Sequence, residues 1–163
     1  MIFRITTKLA KKIKESPQES LPQAESPYLD WTANLFHVNR VQYIIVTNTQ
    51  SLYSIIMYAK GINDNSIFIN YVLSYMGNFM VEDGNEFIFR RLIAPNAKVI
   101  YFSKPEGKRV TGSMNNLVYL AEWHLSDGNL SPFETARRIN SAPMGLLKYE
   151  LPCEAFKIMI PFK

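Results

Sequence analysis

The sequence predicts an α+β fold: a single domain built on a largely antiparallel sheet of four to five strands, with helices packed on it. Three observations predict this. Residues 30–58, DWTANLFHVNRVQYIIVTNTQSLYSIIMY, read as three consecutive strands joined by two tight turns. Two later segments carry helical stripes behind clear start signals, one after Asp64 and one after Ser131. The chain has 163 residues, 47% hydrophobic and 20% charged, which suits one core. A chain of that length buries roughly two thirds of the surface its unfolded form exposes.

Taken in order, Ile2 to Ile5 suits a short strand, and Thr6 or Thr7 can cap a helix. Leu9 and Ile13 lie four apart and share one face of that helix, with lysines between them pointing to water. Residues 15–27, ESPQESLPQAESP, hold three prolines, three serines and three glutamates without periodicity, which predicts a surface loop. The meander follows: Asn34 to Val38, a turn at Asn39-Arg40, Val41 to Thr47, a turn at Asn48, Thr49 and Gln50, then Leu52 to Tyr58. Val41, Tyr43 and Ile45 face one way and Ile44 and Val46 the other, so this strand should be central and covered on both sides.

Asp64 caps a predicted helix to about Met80, with Phe68, Val72, Tyr75, Met76 and Phe79 as its buried stripe. A shorter helix runs from Glu86 to Ile93 before Pro95, and Lys98 to Ser103 reads as a strand. Thr111-Gly112-Ser113 leads into a helix from Met114 to Leu125. Ser131-Pro132-Phe133-Glu134 is the strongest local signal, a capping box with proline at the first helical position of a helix reaching Asn140. The apolar end, EAFKIMIPF, fits a helical turn or an edge strand.

Composition narrows the function classes. Ten Phe and nine Tyr suit a large core with tyrosines at its rim. One cysteine, Cys153, excludes an internal disulfide and a cysteine-based zinc site, and fits a reducing compartment. No apolar run approaches the ~18 residues of a spanning helix. The first residues, MIFRITTKLAKKIK, place apolar residues ahead of charges, the reverse of a secretion signal, so a cytoplasmic location without a membrane is expected. The formal charge of +4 is a mild excess, concentrated in Lys8, Lys11, Lys12 and Lys14. Arg90-Arg91, Lys104, Lys108-Arg109 and Arg137-Arg138 meet phosphate only if they converge.

At DWTANL, NRVQYIIVTN and VTGSMNNLVY the chain resembles a bacterial domain-of-unknown-function family. Its members share an [S/D]-W-x-A-N-L opening, an N-R or D-R turn and, in closer relatives, a G-S-M-N segment ahead of an S-P helix. Trp31, Ala33, Asn34, Leu35, Arg40, Asn48, Gly112, Ser113, Met114 and Asn115 carry the resemblance over nearly the whole chain. Many members have histidine after the tryptophan, where this chain has Thr32. The resemblance supports the extent of the fold and implies no activity.

The candidate ligand-binding residues are Asp30, Trp31, Asn34 and Arg40, with Gly112, Ser113 and Asn115 of the GSMN segment. Asn34 and Arg40 lie nearly 20 Å apart along an extended strand at about 3.3 Å per residue, so they need another segment to make one site. The expectation is that Asp30, Trp31 and Asn34 meet the GSMN turn at one sheet end and hold a small anion on its backbone N–H groups. The structural alternative has Asp30 and Asn34 satisfying buried backbone groups while Trp31 fills the core. His37 and His124 stand in no metal-ligating pattern, and no Walker or dinucleotide glycine run occurs, so neither metal nor cofactor is expected. A Cys153–histidine pair needs the fold to join them. The function these features imply is a small non-catalytic binding or regulatory module, with a protein or a small anionic ligand as partner. The alternatives are a hydrolase or transferase at Asp30, Asn34 and the GSMN segment, and weak, non-specific nucleic-acid binding.

Overall fold

The computed structural model describes residues 1–17 and 19–159 and bears out the α+β class. Five strands form one sheet: β1 (Ile2–Ile5), β2 (Asp30–Val38), β3 (Val41–Asn48), β4 (Ser54–Tyr58) and β5 (Tyr101–Ser103). Their order is β4-β3-β2-β1-β5. Six α-helices accompany them among the described residues: α1 (Thr7–Lys12), α2 (Asn65–Glu82), α3 (Glu86–Ile88), α4 (Lys108–Ser126), α5 (Pro132–Asn140) and α6 (Pro152–Lys157).

The sheet is mixed: its larger part is antiparallel, as expected, and the part around β1 is parallel. β2–β3 and β3–β4 pair antiparallel, whereas β1 pairs parallel with both β2 and β5. The reason lies in the connections. The meander strands are joined by short turns, but α1 and the loop to Leu29 separate β1 from β2, and a link of that length lets the chain return in the same direction.

Local chemistry explains most boundaries. Asn39 and Arg40 both adopt left-handed backbone, φ 50° and 67°, as a two-residue hairpin turn of the favoured hand requires. The Asn39 side chain also donates to the Ser126 carbonyl at 3.0 Å, tying this hairpin to the end of α4. Asp64 caps α2 by accepting from the Ile67 N–H at 2.8 Å. Ser131 and Glu134 close the expected capping box on α5. After α3 the chain widens into a π-helix, Phe89–Ile93, whose Phe89 ring lies where a side chain on Gly77 would stand: a Cβ there would come within 2.8 Å of it. Pro152 opens α6, and residues 160–163 of the apolar tail lie outside the described residues.

β3 is interior, flanked by β2 and β4, and buried from Tyr43 to Asn48, while Val41 is exposed beside the hairpin. The middle strand of the five is β2. By register Phe3, Ile5, Trp31, Ala33 and Val46 share one face. Phe3 packs edge-on against Phe68 of α2, and Trp31 against Phe156 of α6, so those helices cover that face. α5 lies along β4. Its Asn140 amide accepts from the Ser54 N–H at 2.8 Å and donates to the Ser54 carbonyl at 2.9 Å.

Candidate functional site

Asp30 opens β2 and is buried, but not alone. Arg4, fully buried in β1, grips it through two hydrogen bonds, Nε to Oδ1 and Nη2 to Oδ2, each 2.8 Å. The remaining guanidinium N–H groups donate to the carbonyls of Leu21 and Pro22 and to the Ser103 hydroxyl, so all five donors are used. Asp30 accepts two further bonds, from Thr49 Oγ1 at 2.9 Å and from the Ala24 N–H at 3.0 Å. With its proton committed to Asp30, Thr49 must accept from Thr32 Oγ1 at 3.1 Å. Burial works against the Arg4 charge, but the Asp30 hydrogen bonds and charge, with Glu106 adding, outweigh it and hold the Arg4 proton more tightly than in free arginine. Both groups are therefore saturated by the protein itself, and they fasten β1, β2, β5 and the 19–24 stretch of the loop together.

The neighbouring candidates are also engaged. Trp31 is fully buried, and its indole N–H donates to the Tyr28 carbonyl at 2.8 Å. Asn34 accepts from Thr6 Oγ1 at 2.8 Å, at the entry to α1. Asn48 holds the second turn: its carbonyl oxygen accepts from the N–H groups of Gln50 and Ser51 and from the Ser51 hydroxyl, and its amide donates to Pro27 and Asp30 carbonyls. Arg40 sits exposed in the hairpin at the far end of β2.

The GSMN segment lies elsewhere than expected. α4 starts at Lys108, after Gly107 with φ 68°, not at Met114. Gly112, Ser113 and Asn115 are thus inside the helix, where their N–H groups face the preceding turn and not a ligand. Met114 packs in the core, while Gly112 and Asn115 line a shallow groove with Pro105, Gly107, Lys108 and Thr111. Asp30 borders a different, small hollow with Gln23, Ala24, Pro27, Thr49 and Gln50. No hydrogen bond among the described residues joins the two segments. Glu106, in the loop ahead of α4, approaches Arg4 at 3.7 Å.

Sequence reasoning missed Arg4, whose signal was a lone charge inside the four-residue apolar strand IFRI. It also missed a cleft of about 760 Å³ assembled from the end of α2, α4, α5 and α6. Asp83, His124, Glu134, Arg137, Arg138, Cys153 and Lys157 line it. Asp83 accepts from the Tyr53 hydroxyl at 2.6 Å and pairs with Arg137 at 3.3 Å. Glu134 accepts from the Ser131 N–H, which holds its carboxyl below the usual carboxylate range. Cys153 and His124 share the cleft, but no hydrogen bond among the described residues connects them. No group of three His, Cys, Asp or Glu placed to hold a metal occurs among the described residues, and no helix there is long and apolar enough to cross a membrane.

Burial raises the hydroxyl pKa of Tyr53 far above its ordinary value, and the Asp83 hydrogen bond and charge raise it further. Burial likewise raises Tyr28, Tyr43 and Tyr75. An acid whose folded pKa exceeds its unfolded value stays protonated in the fold while the unfolded chain ionises. The stability is complete below the unfolded pKa of about 10 and is lost as pH rises through the folded values. The expected result is unfolding in alkali coupled to tyrosinate absorbance. If Tyr53 ionises near pH 10 with the circular dichroism unchanged, its burial against Asp83 is refuted.

No curated protein and no solved structure matches the chain. One family model, described as "Domain of unknown function (DUF6933)", matches residues 2–155. That span takes in the five strands described, the Arg4–Asp30 pair, α4, α5 and the first part of α6, and ends short of Lys157. The chain therefore belongs to the DUF6933 family, a domain of unknown function.

Proposed function

We propose that the chain is a non-catalytic binding module that holds a small anion in the cleft between α4, α5 and α6. The observation that supports this reading is the unequal state of the charges lining the cleft. Asp83 is occupied by Tyr53 and Arg137, and Glu134 by the cap of its own helix. Arg138 and Lys157 form no ion pair among the described residues and are exposed to the cleft's solvent. A site whose acids are internally satisfied and whose cations are open favours a carboxylate or phosphate.

The test is calorimetric titration with inorganic phosphate, pyrophosphate and citrate against the native chain and an Arg138→Ala/Lys157→Ala variant. Charge-assisted bonds of about 1.5–3 kcal/mol each predict at least a tenfold loss of affinity. Absence of binding to all three anions overturns the reading. A second reading, a thiol hydrolase or transferase, draws on the presence of Cys153 and His124 in the same cleft. Anion binding that survives Cys153→Ser while a thiol-dependent turnover disappears would favour it.

A further inference from the structure

We infer that the outer face of α4 is a second binding surface, separate from the cleft, and that its occupant is a single strand of nucleic acid. Lys108, Gly112, Asn115, Tyr119 and Trp123 follow one another at helical spacing and form one solvent-facing stripe. Tyr119 is 71% exposed and Trp123 66%. Arg109 flanks the stripe, and Lys104 stands just before the helix. None of these three cations forms an ion pair among the described residues. The acid nearest them in sequence, Glu106, lies against Arg4. Glu122 and Asp127 lie toward the other end of the helix, past Tyr119.

Three features favour a nucleic-acid strand over a protein partner. Met114, Leu117, Ala121 and Leu125 of α4 are buried in the core and Val118 and Leu120 pack against it, so the stripe itself carries no aliphatic side chain. Its exposed large side chains are flat aromatics beside cations, the combination that stacks bases and tracks phosphates. Gly112 supplies an independent sign. Gly77 is explained by the Phe89 ring, but a Cβ on Gly112 would meet nothing within 4 Å. Glycine in a helix interior is disfavoured, and without a packing reason the bare backbone it leaves between Lys108 and Asn115 suits close approach by a strand. From Lys108 to Trp123 the helix rises about 22 Å, a track long enough for a strand to follow over several nucleotides.

Trp31 is sealed in the core, so Trp123 supplies the accessible indole signal. The experiment titrates the full chain with oligothymidylate and oligouridylate octamers, reading tryptophan quenching and, in parallel, anisotropy of a labelled octamer. Quenching is expected at 50 mM salt. Three phosphate contacts on a single strand predict affinity falling about twentyfold by 200 mM salt. Lys108→Glu/Arg109→Glu and, by anisotropy, Trp123→Ala should each weaken binding at least tenfold, and Gly112→Ala should weaken it while raising the melting temperature. Arg138→Ala/Lys157→Ala should leave it unchanged, which separates this surface from the cleft. No quenching and no anisotropy change at 50 mM salt overturns the proposal. So does equal affinity for a poly-glutamate peptide, or binding that Trp123→Ala and Tyr119→Ser leave intact.

Discussion

Replacing Arg4 with methionine is expected to destabilise the fold by about 3–5 kcal/mol, the range for removing one partner of a buried, hydrogen-bonded ion pair. The loss has two parts. The Asp30 carboxylate stays buried with only Thr49 and the Ala24 N–H as donors. The carbonyls of Leu21 and Pro22 lose the guanidinium that fastens the loop. A companion variant, Arg4→Met with Asp30→Leu, removes the stranded charge and should be less destabilised than Arg4→Met alone. Denaturant unfolding measures both, and limited proteolysis near residues 19–24 reports the loop. A cost under about 1 kcal/mol for Arg4→Met would show that the pair is open to water.

Trp31→Ala should cost about 3–5 kcal/mol, as for other buried tryptophans cut back to alanine. The indole packs edge-on against Phe156, itself stacked on Tyr53 at 4.2 Å, so the cavity would open at the centre of an aromatic cluster. Trp31→Phe keeps one ring in place and removes the N–H that satisfies the Tyr28 carbonyl together with part of the indole's volume, so it should cost less than Trp31→Ala but at least about 1–3 kcal/mol. The ordering of these two variants in chemical denaturation tests whether Trp31 is a packing residue. Unchanged stability in Trp31→Ala would return it to the ligand-binding role read from the sequence.

What was legible in the chain was what neighbouring residues decide among themselves. The Asp64 cap, the Ser131–Glu134 capping box and the Asn39-Arg40 turn all depend on contacts within four positions, and each stands where the sequence predicts it. The parallel placement of β1 depends on a crossover and has no local signature. Thr111-Gly112-Ser113 read as the lead-in to a helix from Met114, yet α4 already runs through them, held by Met114, Leu117 and Ala121 in the core. At the candidate site, Asp30 was recognisable as a polar residue at a strand entrance. Its partner Arg4 lies 26 positions away, and no periodicity links two such residues. The cleft draws on four separate helices or their ends, so no window of sequence contains it.

The amide of Asn140 answers the Ser54 N–H and carbonyl as a neighbouring strand would, and so occupies part of the outer border of β4. At the other border β5 is only three residues long. A sheet grows, and misassembles, by adding strands at open borders, and short or covered borders discourage it. This sheet thus presents little template for another chain. Asn140→Asp would undo half of that cover: a carboxylate can accept from the Ser54 N–H but cannot donate back to its carbonyl.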